Sequence, residues 1–145
     1  MAENIKLTLT VNSVIDNLSE VGLPEGEPEI NIFTADGTLA IIEGGYLLSF
    51  TETQDGGEAH SRLYLYPGEV RLLKSGSITS EMRFSEGEIF KTLYCVGPYS
   101  FDMTVRTKKI RSTMSDKGGE LRLIYTMNVG GQEKLVRMKI SAKGR

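Results

Sequence analysis

Apolar side chains recur at every second position along most of this chain, and turn-forming pairs interrupt the alternation about every ten residues, the rhythm of short antiparallel strands. Period two places successive side chains on opposite faces of an extended backbone, so such a chain builds half-buried strands rather than helices. Ile5, Leu7, Leu9 and Val11 alternate with Lys6, Thr8, Thr10 and Asn12, which predicts a strand over 5–13. The stretch DNLSEVGLPEGEP, residues 16–28, breaks the alternation with glycine, proline and acids and reads as a loop. EINIFT running into ADG predicts a hairpin turn at Asp36-Gly37. A long strand is then expected over 38–53, with Tyr46, Leu48, Phe50 and Glu52 on one face and a bend or bulge at Gly44-Gly45.

Pro67-Gly68, Ser75-Gly76, Glu86-Gly87, Gly97-Pro98 and Gly130-Gly131 punctuate the remainder of the chain. Strands are predicted near 61–66, 69–75, 78–84, 88–96, 99–106, 109–115, 120–129 and 133–142. Apolar phase shifts between the set Phe101, Met103, Val105 and the pair Ile110, Met114, which predicts a bulge or turn between Arg106 and Lys109. No amphipathic helix longer than one or two turns is visible. An antiparallel meander of eight to ten strands tends to curl, and closing on itself removes its exposed edges. The expected fold is therefore all-β: one closed antiparallel barrel occupying residues 1–145, a length that suits a single domain.

The runs GGYLLSFTET, GEVRLLKSG, EMRFSEG, TLYC and GGELRLIYTMNV, in that order, resemble the YwiB-like family, a bacterial domain of unknown function. That resemblance spans about Ile5 to Ile140 and implies a calycin-like (lipocalin-like) barrel, but no reaction. The chain departs from the family pattern at Phe50, where Tyr is usual, at Lys74, where Arg is usual, and at Cys95-Val96.

Seventeen Lys and Arg against nineteen Asp and Glu give a net charge of −2, which argues against a general polyanion binder. The charges are unevenly placed. Residues 1–60 carry one base and eleven acids, whereas residues 61–145 carry sixteen bases and eight acids. Two readings are open: acidic and basic halves neutralise each other where the barrel closes, or Arg106, Lys108, Lys109, Arg111, Arg122, Arg137 and Lys139 form a face for an acidic partner. With one cysteine, no apolar leader in MAENIKLTLTV and no apolar run of about eighteen residues, a cytoplasmic location is expected.

Catalytic chemistry has little to stand on. His60 is the only histidine and is expected in a turn, while Cys95 is expected as a buried structural thiol. No catalytic residue, metal site or cofactor is assigned, and glycine turns such as KSGS lack the helix a phosphate cradle requires. The barrel interior is the candidate site, open to two readings: a core packed by its own side chains, with tyrosine hydroxyls reaching the rim, or a ligand cavity. Tyr46, Phe50, Met82, Tyr94, Phe101 and Tyr125 are predicted to wall a cavity, with Glu52 as the polar group orienting a small apolar or amphipathic ligand. The other function that stays open is a structural or interaction module that offers its basic outer strands to an acidic protein or nucleic acid; an enzyme is not expected.

Overall fold

Ten antiparallel strands account for nearly all of the structure, a computed structural model that describes residues 4–54 and 57–144. They are β1 (Ile5–Leu18), β2 (Pro24–Ile42), β3 (Gly45–Gln54), β4 (Gly57–Tyr66), β5 (Glu69–Gly76), β6 (Ile78–Phe84), β7 (Ile89–Val96), β8 (Tyr99–Ser112), β9 (Gly118–Val129) and β10 (Gln132–Gly144). Each strand pairs with the next in sequence, and β10 returns to β1 from Leu7↔Gly144 to Asn17↔Lys134, which closes the barrel. No helix occurs among the described residues.

Several boundaries differ from the sequence expectation for identifiable reasons. Asp36 and Gly37 lie inside β2, paired with Thr8 and Leu7, and the turn falls instead at Gly44, whose φ of 81° is the left-handed conformation glycine supplies. Gly37 serves close approach: a Cβ there would lie 2.3 Å from Leu9 Cδ1 and 2.6 Å from the Ser49 carbonyl oxygen. The expected 38–53 strand is thus the end of β2, a turn and β3. The expected 16–28 loop is mostly strand, because Pro24 and Pro28 lie on an edge of β2 that pairs only with β1; pairing with β3 begins at Gly37. His60 lies within β4 rather than in a turn. Residues 99–112 form one strand, with the predicted irregularity between Thr107 and Lys109.

Inward positions of every strand meet in one apolar core that includes Leu7, Leu9, Leu48, Leu63, Phe84 and Leu123. Phe84 and Tyr125 pack with ring centroids 4.7 Å apart. Burying a side chain such as Phe84 contributes about 1.5–3 kcal/mol relative to leaving it in water.

The wall around this core is uneven. β9 and β10 pair without interruption from Lys143↔Gly118 to Gln132↔Val129, whereas β6 and β7 pair only at Ile78↔Val96, Thr79↔Cys95 and Ser80↔Tyr94. Beyond Ser80 the turn after β6 is stitched to β8: Gly87 N donates to the Thr107 carbonyl at 3.0 Å and Ser85 N to Thr107 Oγ1 at 3.1 Å. Glu81–Phe84 and residues 89–93 are thereby left facing one another without a ladder, as the two lips of a slit in the wall.

Candidate binding site

Antiparallel partners point to the same face, so the register places one inward row across the strands: Phe50, Ser61, Lys74, Ser80, Tyr94 and Phe101, each opposite the next. Glu52, two residues along β3 from Phe50, shares that face. Lys74 Nζ lies 3.4 Å from Glu52 Oε1, and the carboxylate side chain is only 9 % exposed against 22 % for the lysine. Two serines flank the lysine. Ser61 Oγ and Ser80 Oγ are buried and have no hydrogen-bond partner among the described residues. A buried hydroxyl without a partner costs about 1–3 kcal/mol, so a pair of them beside a lysine is a departure from ordinary packing. Tyr94, half-buried, has its pKa raised first by burial and then by the negative charge of Glu52, so its hydroxyl keeps its proton. The row thus presents an ammonium and three hydroxyl groups, with one carboxylate already engaged.

The seven residues singled out from sequence are distributed unequally. Phe50, Glu52, Tyr94 and Phe101 lie on or beside this row, Phe50 also within the apolar core and Phe101 at the rim with 42 % exposure. Met82 and Tyr125 belong to the core cluster, where burial drives the Tyr125 pKa far upward. Tyr46 lies toward the opposite end of the barrel, in a cleft of about 620 Å³ with Leu65, Val70, Ile110 and Met114. Ser61, Lys74 and Ser80 were not singled out, although each shares inward parity with apolar neighbours: Ser61 with Leu63, Lys74 with Leu72, Ser80 with Met82.

A second cleft, of about 390 Å³, opens at the slit between β6 and β7. Lys74, Ser80 and Thr92 reach it from the inward phase, and Leu73, Leu93 and Cys95 from the outer. Arg83 spans the lips, its guanidinium 5.2 Å from the centre of the Phe90 ring. Cys95 is half-buried rather than buried, its thiol 3.4 Å from Ser100 Oγ, because Tyr94 takes the inward position.

The charge halves meet less than expected. Across the β1–β10 seam the ion pair among the described residues is Arg137 with Asp16, at 3.2 Å, because the other outward residues of β1 there are Thr8, Thr10, Asn12 and Val14. Arg122 and Lys139 instead share Glu120, whose carboxyl is held below the usual range, chiefly by the Arg122 hydrogen bond. Arg106, Lys108, Lys109 and Arg111 have no ion pair among the described residues. His60 Nδ1 is 3.0 Å from Thr51 Oγ1 on the outer face, and no cluster of three or more metal-binding side chains occurs among the described residues.

A closed ten-stranded antiparallel barrel with a polar row on one inner wall defines the class of this protein. Within that class, the chain belongs to the family described as Domain of unknown function (DUF1934), whose model matches residues 19–141. It is similar to the protein titled Uncharacterized beta-barrel protein YwiB from Bacillus subtilis (strain 168), 28% identical over 145 residues, covering 99% of this chain and 97% of the relative. The crystal structure of ywiB protein from Bacillus subtilis matches with a TM-score of 0.86 at 26% identity, over 98% of this chain and 93% of that one. The family and barrel expected from the sequence runs are therefore shown. No helix among the described residues is long and apolar enough to cross a membrane.

Proposed function

We propose that this chain is a non-catalytic binding protein of the cytoplasm, whose barrel holds one small amphipathic molecule with its polar end on Ser61, Lys74, Ser80 and Tyr94. The observation that carries this reading is the pair of buried, unpartnered hydroxyls on either side of Lys74. A ligand oxygen that completes those hydrogen bonds turns a cost into an attraction. A catalytic role gains no support from Glu52, which is already paired with Lys74, or from His60, which faces outward. The single, unpaired thiol of Cys95 suits a reducing compartment.

Native mass spectrometry of protein purified from its own host tests the reading directly, the expected result being a retained small molecule of one mass. Thermal melting in anilinonaphthalene sulfonate, an amphipathic anion, supplies a second test, because a ligand that prefers the folded state raises Tm. Ser80→Ala should raise the Tm of the free protein and shrink that ligand-dependent increase. If host-purified protein carries nothing and the dye leaves Tm unmoved, the reading fails.

The unpaired cations of β8 favour a second reading, an interaction module that docks an acidic protein or nucleic acid on the β8–β9 face. Retention on heparin that disappears in Lys109→Glu/Arg111→Glu, with dye binding unchanged, would select it.

A further inference from the structure

We infer that the site is reached and occupied through the barrel wall, at the slit between β6 and β7, and that its ligand is a small monocarboxylate whose head meets Lys74 and Ser80 while its apolar body lies against Leu73 and Leu93. This rests on the binding function proposed above and narrows it to the part of the polar row that lines the cleft, Lys74 and Ser80, since Ser61 and Tyr94 do not line it. Three independent observations converge on the slit.

The first is the backbone. Continuing the register past Ser80↔Tyr94 would pair Glu81 with Leu93 and Met82 with Thr92, yet neither pair forms. The second is the cleft, which brings inward Lys74, Ser80 and Thr92 into the same space as outward Leu73 and Leu93. Leu73 and Leu93 are 37 % and 53 % exposed, an apolar lip beside a buried polar floor. A void of about 390 Å³ lies within the ordinary size of small-molecule sites.

The third observation is charge. Lys74 pairs with Glu52, and Arg83 lies 3.9 Å from Glu81. Arg62, exposed on the outer face, also lines the cleft and has no ion pair among the described residues, so the side chains lining the cleft carry two positive charges, Arg62 and Lys74, against the one negative charge of Glu81. A single negative charge on the ligand balances the difference, and a carboxylate is acceptor-only, which matches the donors of Lys74 and Ser80. A dianion would add a second negative charge near Glu52 and Glu81, and a neutral head would meet Lys74 and Ser80 without the charge assistance that a carboxylate brings.

Octanoate is the probe, with octan-1-ol as its uncharged counterpart. In a Cys95→Ser background, Glu81→Cys/Leu93→Cys places a thiol on each lip, so that oxidation pulls the slit shut and reduction releases it. Octanoate should raise the Tm of the wild-type protein more than octan-1-ol at equal concentration, and the crosslinked variant should bind octanoate about tenfold more weakly, or worse, when oxidised than when reduced, a loss comparable to that of one charge-assisted hydrogen bond. Leu93→Glu, at an exposed position that tolerates charge, should weaken octanoate similarly by repelling the carboxylate, and it keeps the question answerable if the crosslinked variant does not fold. Equal affinity in the oxidised and reduced forms, or equal affinity of Leu93→Glu and wild type, overturns the slit; equal shifts from octanoate and octan-1-ol overturn the carboxylate head. In each of those cases binding persists and the function proposed above survives. Wild-type protein that binds neither octanoate nor the anilinonaphthalene dye removes both.

Discussion

The two halves of the barrel wall are built to different standards. The wall formed by β8, β9, β10 and β1 presents Met103, Val105, Leu121, Leu123, Val136, Ile140, Leu7 and Leu9 to the interior, all of them buried, its buried Thr107 is hydrogen-bonded by Ser85 N, and its ladders run nearly the length of each strand with one bulge between Thr107 and Lys109. The wall formed by β3 to β7 interrupts the same pattern with Glu52, Ser61, Lys74 and Ser80, and its last ladder stops after three residue pairs. Each interruption on the second wall costs stability that an apolar residue would supply, and sites of function are where such costs concentrate. The first wall holds the fold while the second carries the site.

The largest expected contrast comes from truncating the first wall. Leu9→Ala or Leu123→Ala should lower stability by about 2–5 kcal/mol, read by urea denaturation, through lost burial plus a cavity. Ser61→Ala and Ser80→Ala on the second wall should change it little or raise it, since each removes a buried hydroxyl that has no partner. If both walls respond alike, the division does not hold. Next in size is Lys74→Met, which leaves the nearly buried Glu52 without its ammonium and should cost about 1–3 kcal/mol near neutral pH, with much of the loss recovered when Glu52 is also changed to Gln.

Alkaline pH should weaken both walls, the second through Tyr94 and the first, more strongly, through the fully buried Tyr125. Burial raises the pKa of Tyr125 above the ordinary 10.0, so the folded state holds its proton where the unfolded state releases it. That stabilisation is complete below about pH 10 and is lost as pH climbs beyond it. Tyr125→Phe should flatten the fall, followed by phenolate absorbance and far-ultraviolet circular dichroism together. The smallest effect is at the seam. Arg137→Glu, facing Asp16, should destabilise by about 0.2–1 kcal/mol at low salt and less at high salt.

Period two and glycine-bearing turns made the barrel legible, because both are local and both are stated residue by residue. The purpose of Gly37 was not legible in the same way. A glycine after aspartate signals a turn, and only the approach of Leu9 and the Ser49 carbonyl reveals that close packing required it. Half of the site was visible for a similar reason. Glu52 stands out as a carboxylate in phase with Tyr46, Leu48 and Phe50, whereas Ser61 and Ser80 are ordinary strand serines until the register sets them on either side of Lys74. That conjunction joins three strands, and no single stretch of sequence contains it.

Nine of the ten ladders join strands that are neighbours along the chain, and the tenth, between β1 and β10, joins its two ends. Hairpins form by zipping outward from a turn, while this one ladder has to recruit segments separated by nearly the whole polypeptide. Folding should therefore pass through an open, curled sheet whose last act is to meet itself. Interactions made only in that final step slow unfolding without speeding folding. The lifetime of the assembled barrel, more than its rate of formation, is then set by how well Val11 and Ile140 meet across the closure.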